Sequence, residues 1–183
     1  LRLAMHRPVP IINAGDGTGE HPTQALLDLY TIKDRFGTDI DGLTIGFVGD
    51  LRNGRTVHSL IKLLAIDRCH VNVVCIAPES LSMPQEYVEF ARSREMQVEE
   101  TGDLQSVMGK LDVLYVTRVQ RERFVAQQLD DLSHNVFGSE YDRLDSRVKD
   151  ALRPLAELNA AKEYTEARDT YVVDPMMLSQ ARK

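Results

Sequence analysis

The apolar positions change period several times along the chain. In residues 23–36, TQALLDLYTIKDRF, the positions of Leu26, Leu29, Tyr30 and Lys33 recur at three-and-four spacing, with Leu27 and Ile32 widening the stripe. That period predicts an amphipathic helix. Pro22 suits its first turn, where a missing amide hydrogen costs little, and FGTDIDG marks its exit. Short continuous apolar runs rich in β-branched residues follow. LTIGFVG and VNVVCIA flank a helical segment from about 55 to 67, and LDVLYVT and DTYVVD repeat the strand pattern further on. PQEYVEFARSR and DLQSVMGK read as helices between them. The alternation predicts an α/β fold: a parallel sheet flanked by helices on both faces, a Rossmann-like three-layer αβα arrangement. Ligands of such sheets bind beyond the carboxyl ends of the strands. Residues 125–170 are dense in charge, with apolar residues at helical spacing and an interruption at Pro154. They predict a pair of amphipathic surface helices whose charges form a solvated face.

Composition narrows the ligand. The 183 residues, 43% hydrophobic and 27% charged, suit one ordinary soluble domain with a core of its own. A net charge of −6 leaves no global positive field for nucleic acid or an anionic membrane, so an anionic ligand must be held by locally placed cations. Cys69 and Cys75 lack C-x-x-C spacing and read as buried thiols in a reducing compartment. No apolar stretch reaches membrane-spanning length, and LRLAMHRPVPIINAGDG lacks a signal-peptide core, so a cytoplasmic location is expected.

GDLRNGRT, residues 49–56, sits directly after the first apolar run and matches a phosphate-binding loop except that Arg55 stands where lysine belongs. A triphosphate loop uses a compact, mobile ammonium. The planar guanidinium fork suits two-oxygen anions, carboxylates above all, and Asp50 would set a negative charge beside phosphates. The later strand ends on Thr117 and Arg118 rather than on a metal-holding acid. A dinucleotide site is no better supported, because GFVGD is not G-x-G-x-x-G and VNVVCIAPES has no acid for a ribose hydroxyl. Arg118 follows one strand as Arg55 follows another, and Gln120 is two residues on. Two forked cations and an amide on one sheet edge describe a dicarboxylate pocket, each charge-assisted contact being worth about 1.5–3 kcal/mol. Arg52, Arg121 or Arg123 could take these roles instead, and Arg55 could simply reach solvent. With Pro22 opening the helix, His21 is the expected cap and Gln24 the third helical residue. The helix start favours developing negative charge and a neutral imidazole that donates a hydrogen bond. The plainer alternative is that both residues only cap the helix. His58 is expected on a helix face. His6, His70 and His134 have no ligand spacing, and no metal is expected.

INAGDGTGEHPTQALLDLYTI, VGDLRNGRTVHSL and LYVTRVQRERF together resemble the aspartate carbamoyltransferase family over residues 8 to about 124. The resemblance implies carbamoyl transfer from carbamoyl phosphate to L-aspartate in pyrimidine synthesis, giving N-carbamoyl-L-aspartate and phosphate without a cofactor. It implies that His21 and Gln24 contact the carbamoyl group as catalytic residues, and that Arg55, Arg118 and Gln120 bind aspartate. Ornithine-specific relatives carry a cysteine within the His-Pro-x-Gln motif, where Thr23 stands here, and lack the later Arg-x-Gln. Residues 1–42 correspond to a loop and bridging helix from the carbamoyl-phosphate side, and residues 43–183 to the aspartate-binding domain. The family's Ser-Thr-Arg-Thr phosphate cradle and His-Pro-Leu-Pro segment are expected outside this sequence, in a complete enzyme that is a homotrimer. The 183 residues alone are then expected to turn over weakly or not at all, as an aspartate-binding or assembly fragment. The stretch after Phe124 is longer than the family's lid region. Nucleic acid and membranes are not expected partners.

Overall fold

In the computed structural model, which describes residues 10–17, 19–67, 70–118, 121–137, 146–170 and 173, the apolar runs pair as a parallel sheet. Its strands are β1 (Thr44–Val48), β2 (Asn72–Ile76), β3 (Gln97–Thr101) and β4 (Val113–Val116), in the order β3-β2-β1-β4. β1 lies between β2 and β4, with Phe47 opposite Cys75 on one side and Tyr115 on the other. The alternating helices are α1 (Pro22–Phe36), α2 (Arg55–Ile66), α3 (Gln85–Arg92) and the short α4 (Leu104–Val107). β3 has no counterpart among the predicted strands. Its sequence QVEET is polar and largely exposed, as suits an edge strand, and pairing with β2 rather than apolar periodicity makes it a strand.

The core follows the β-branched runs. Ile45, Phe47, Leu60, Leu64 and Ile76 are fully buried between sheet and helices. α1 buries Ala25, Leu29 and Ile32, while Leu26, Leu27 and Tyr30 are exposed. The predicted stripe therefore merged two faces of one helix, because apolar residues surround much of it.

By contacts the chain forms two compact units, Leu1–Thr117 with Met177–Lys183, and Arg118–Met176. The second is a helical pair, α5 (Arg121–Phe137) and α6 (Ser146–Thr170). Ser133, Ala156 and Ala160 are fully buried in it, small side chains that let the backbones approach, and the Ser133 hydroxyl donates to Leu129 O. The pair matches expectation, but Pro154 lies inside α6 and does not end it. The proline forfeits one helical hydrogen bond, and packing through Ala156 and Ala160 carries the helix across. The strand predicted for DTYVVD does not form where it is described. Asp169 and Thr170 end α6, while residues 171, 172 and 174 lie outside the described residues.

Candidate active site

β1 continues through α2 to β2 on one side, whereas β4 joins β1 on the other, so the carboxyl ends of β1 and β4 form a topological switch point. The loop after β1 is tied down there. Asp50 is buried, and its Oδ1 accepts from Asn53 N at 3.0 Å and Asn53 Nδ2 at 3.1 Å. Asp50 holds the turn. The amides of Leu51 and Arg52 both donate to Leu81 O, at 3.1 and 3.0 Å. His58, expected on a helix face, is buried in α2, where Nε2–H donates to Leu51 O at 2.8 Å and the ring stacks on Tyr87. A buried loop carbonyl needs a donor, and the histidine supplies it.

The start of α1 is held against α2. His21 is the cap: its Nδ1 accepts from Gln24 N at 3.3 Å and lies 3.3 Å from the Thr23 hydroxyl. A neutral ring that accepts at Nδ1 carries its proton on Nε2. The His21 amide donates to Ser59 Oγ at 2.8 Å, and Ser59 is one turn along α2 from Arg55. Ser59 in turn donates to Glu20, which pairs with Lys62. Burial works against the Lys62 ammonium, but the Glu20 hydrogen bond and charge outweigh it and raise the pKa above its ordinary value. The amino ends of α1 and α2 thus stand side by side, so their dipoles favour negative charge at one place.

Arg55, the first residue of α2, is half-buried, and its guanidinium lies over Gly15 in the loop before His21. Gly15 has φ +126°, and a methyl there would stand 2.6 Å from Arg55 Nη1. That loop is closed by Gly15 N donating to Asn13 Oδ1, Asn13 Nδ2 donating to Asp16 Oδ2 and Glu20 N donating to Asp16. The Glu20 amide above all, then the Asn13 side chain and, more weakly, Arg55 hold the Asp16 carboxyl below its usual range. Among the described residues no carboxylate comes within ion-pairing distance of Arg55. Arg118 is exposed and opens the second unit, directly after Thr117, whose amide and hydroxyl donate to Val48 O at 2.8 and 3.0 Å. Gln120 lies outside the described residues, as do the side chains of Arg121 and Arg123. Arg52 is exposed, its Nη1 3.5 Å from Ser80 O. Of the expected site residues, then, the fold brings His21, Gln24 and Arg55 to adjoining helix starts.

Sequence reasoning missed Glu20, Ser59 and Lys62, and also Asp28, Thr56 and Tyr115. Only Asp28 had a local signal, four residues after Gln24 on the same helix face. The others meet through tertiary packing. Burial above all pushes the Tyr115 phenol up to about 12; Thr56 opposes it, and the Asp28 hydrogen bond and charge add to it more weakly. Burial likewise pushes the Cys75 thiol to about 12. Both protons are held more tightly in the folded chain. Their stabilising contribution is therefore intact below the ordinary values of 9.0 for Cys75 and 10.0 for Tyr115, and is lost as pH rises through about 12. From neutral pH upward, the urea midpoint is expected to hold to about pH 9 and fall above it, less steeply in Tyr115→Phe.

Residues 41–183 match the family described as aspartate/ornithine carbamoyltransferase, Asp/Orn binding domain, and residues 1–34 match the companion description, carbamoyl-P binding domain. The chain belongs to the aspartate/ornithine carbamoyltransferase family. Among carbamoyltransferases, the aspartate carbamoyltransferase catalytic subunit of Thermococcus gammatolerans is 60% identical over 116 residues, which are 63% of this chain and 37% of that protein. The multifunctional protein CAD of Squalus acanthias is 50% identical over 125 residues, 68% of this chain and 5% of that protein. A crystal structure of aspartate transcarbamoylase from Trypanosoma cruzi, in complex with N-(phosphonacetyl)-L-aspartic acid, superposes with a TM-score of 0.69 at 36% identity, covering 95% of this chain and 45% of that one. The α/β fold matches that of aspartate transcarbamoylase structures. The chain spans less than half the length of these relatives.

Proposed function

We propose that this chain supplies the aspartate-binding domain and bridging helix of an aspartate carbamoyltransferase, which makes N-carbamoyl-L-aspartate and phosphate for pyrimidine synthesis. The observation that carries the reading is the pairing of two helix starts at the switch point, one bearing His21 and Gln24, the other Arg55. Aspartate rather than ornithine is the acceptor, because a second carboxylate needs a second fork and the aspartate enzymes are the relatives named above. Arg55, Arg118 and Gln120 grip the two carboxylates. The deprotonated amine of aspartate attacks the carbamoyl carbon while His21 Nε2–H holds the carbonyl oxygen, and phosphate leaves. Orientation of two anions and electrostatic stabilisation supply the acceleration, without a covalent enzyme intermediate. Residues 1–42 belong to the carbamoyl-phosphate side and 43–183 to the aspartate side of a cytoplasmic homotrimer that needs no cofactor.

The 37% span of the Thermococcus relative favours a second reading for the 183 residues taken alone, that they bind aspartate without turning over. Carbamoyl-aspartate formation by the purified chain separates the two: clear turnover without a partner rules out the binding-only reading. Calorimetry with succinate, a diacid without the amine, tests the pocket. Arg55→Ala and Arg118→Ala are each expected to weaken succinate binding at least tenfold, the loss of one charge-assisted carboxylate contact of about 1.5–3 kcal/mol. Binding that both variants leave unchanged would remove these arginines from the site.

A further inference from the structure

Gln24 is not free to turn over. Its side-chain nitrogen donates to Asp28 Oδ1 at 2.8 Å, one turn further along α1. The other oxygen of Asp28 accepts from the Tyr115 hydroxyl of β4 at 2.9 Å. Tyr115 is fixed in turn: its ring meets Phe47 edge-on with centroids 5.8 Å apart. β4 therefore holds one oxygen of the carboxylate through Tyr115, and the other oxygen holds the Gln24 amide. An ionised carboxylate has acceptors only, so it takes the NH2 end of glutamine and refuses the carbonyl end. Gln24 Oε1 is left on the opposite side of the amide as an acceptor with no partner among the described residues.

On the carbamoyltransferase reading above, on which this inference rests, the donor carries a phosphate, a carbonyl and an NH2. Acetyl phosphate is nearly the same shape, with a methyl in place of the NH2. We propose that Asp28 is a positioning residue that selects a carbamoyl donor over an acyl donor. By holding the Gln24 nitrogen, it presents Oε1 to the substrate, where the NH2 of a carbamoyl group can donate a hydrogen bond and a methyl cannot. A site built to accept from a substrate N–H discriminates against the analogue that lacks it, because the acceptor is then left unpaired.

The test measures kcat/KM for transfer to L-aspartate from carbamoyl phosphate and from acetyl phosphate, in the catalytic protein that carries this chain. Asp28→Ala, compatible with the helix, removes both acceptors, so nothing at that position holds the Gln24 nitrogen and Gln24 is free to reverse. It is expected to lower kcat/KM for carbamoyl phosphate about tenfold and to change that for acetyl phosphate less than about threefold, so that the donor preference falls. Tyr115→Phe leaves Oδ1 of Asp28 on Gln24 and is expected to keep the preference within about threefold. Should Asp28→Ala fail to fold, Asp28→Leu, close in size and likewise without an acceptor, is expected to show the same loss of preference. Equal loss on both donors, or a preference that the Asp28 variants leave untouched while transfer continues, overturns the role of Asp28 and leaves the proposed activity standing. No transfer from either donor by the unsubstituted protein overturns the activity and this inference together.

Discussion

Gly49→Ala is expected to cost the fold about 3 kcal/mol or more, read as a large fall in the urea midpoint. Gly49 follows β1 with φ +114°, a conformation that L side chains rarely adopt. A Cβ there would stand 2.5 Å from Thr117 Oγ1 and 2.6 Å from Thr117 O. Thr117 cannot retreat cheaply, because its amide and hydroxyl both donate to Val48 O, the carbonyl next to the glycine. Nor can the backbone flip easily, because Gly49 N donates to Ile76 O at 3.2 Å. Strain of about 1–3 kcal/mol therefore adds to a backbone collision. Gly42→Ala is the control. Its φ is +80° with nothing within 4 Å of a new Cβ, so it carries the conformational cost alone, about 1 kcal/mol. Equal midpoints for the two variants would show that the loops after β1 and β4 can part without penalty.

Removing the imidazole in His21→Ala is expected to lower kcat about 10²–10³-fold, the usual loss when a donor to a developing oxyanion is removed. The same change deletes a helix cap, which by itself costs about 1 kcal/mol of stability. His21→Asn separates the two effects, because asparagine is among the best cap residues but holds its amide much closer to the backbone than imidazole Nε2. Stability is expected to return in His21→Asn while kcat stays low. KM for aspartate should move little in either variant, since the carboxylates are assigned to the arginines. A rate that recovers together with stability would reduce His21 to a cap.

Much of the first unit was legible because its signals are local. Pro22 at the helix start, the β-branched runs and the Gly/Asp turns gave β1, β2, β4, α1 and α2 close to where they stand. β3 was illegible because QVEET has no apolar period, and its strand character comes from pairing with β2. Pro154 misled, since the proline rule is local while Ala156 and Ala160 bury the helix on both turns after it. His58 stands on a helix, as expected, but what it meets was not legible. Helix periodicity cannot tell that one face meets a loop carbonyl needing a donor, and Leu51 O is that carbonyl.

The sequence by itself determined which chemistry the chain could carry: an arginine where a triphosphate loop has lysine, a histidine capping a proline-led helix, and a strand–helix alternation that places loops at one sheet edge. These follow from residue type and spacing, which act over a few bonds. Only the tertiary structure decided which groups hold those residues in place. Ser59 receives the His21 amide across 38 residues, and Tyr115 reaches Asp28 across 87. Contacts at such separations arise when helices pack on a sheet, and no local preference along the chain encodes them.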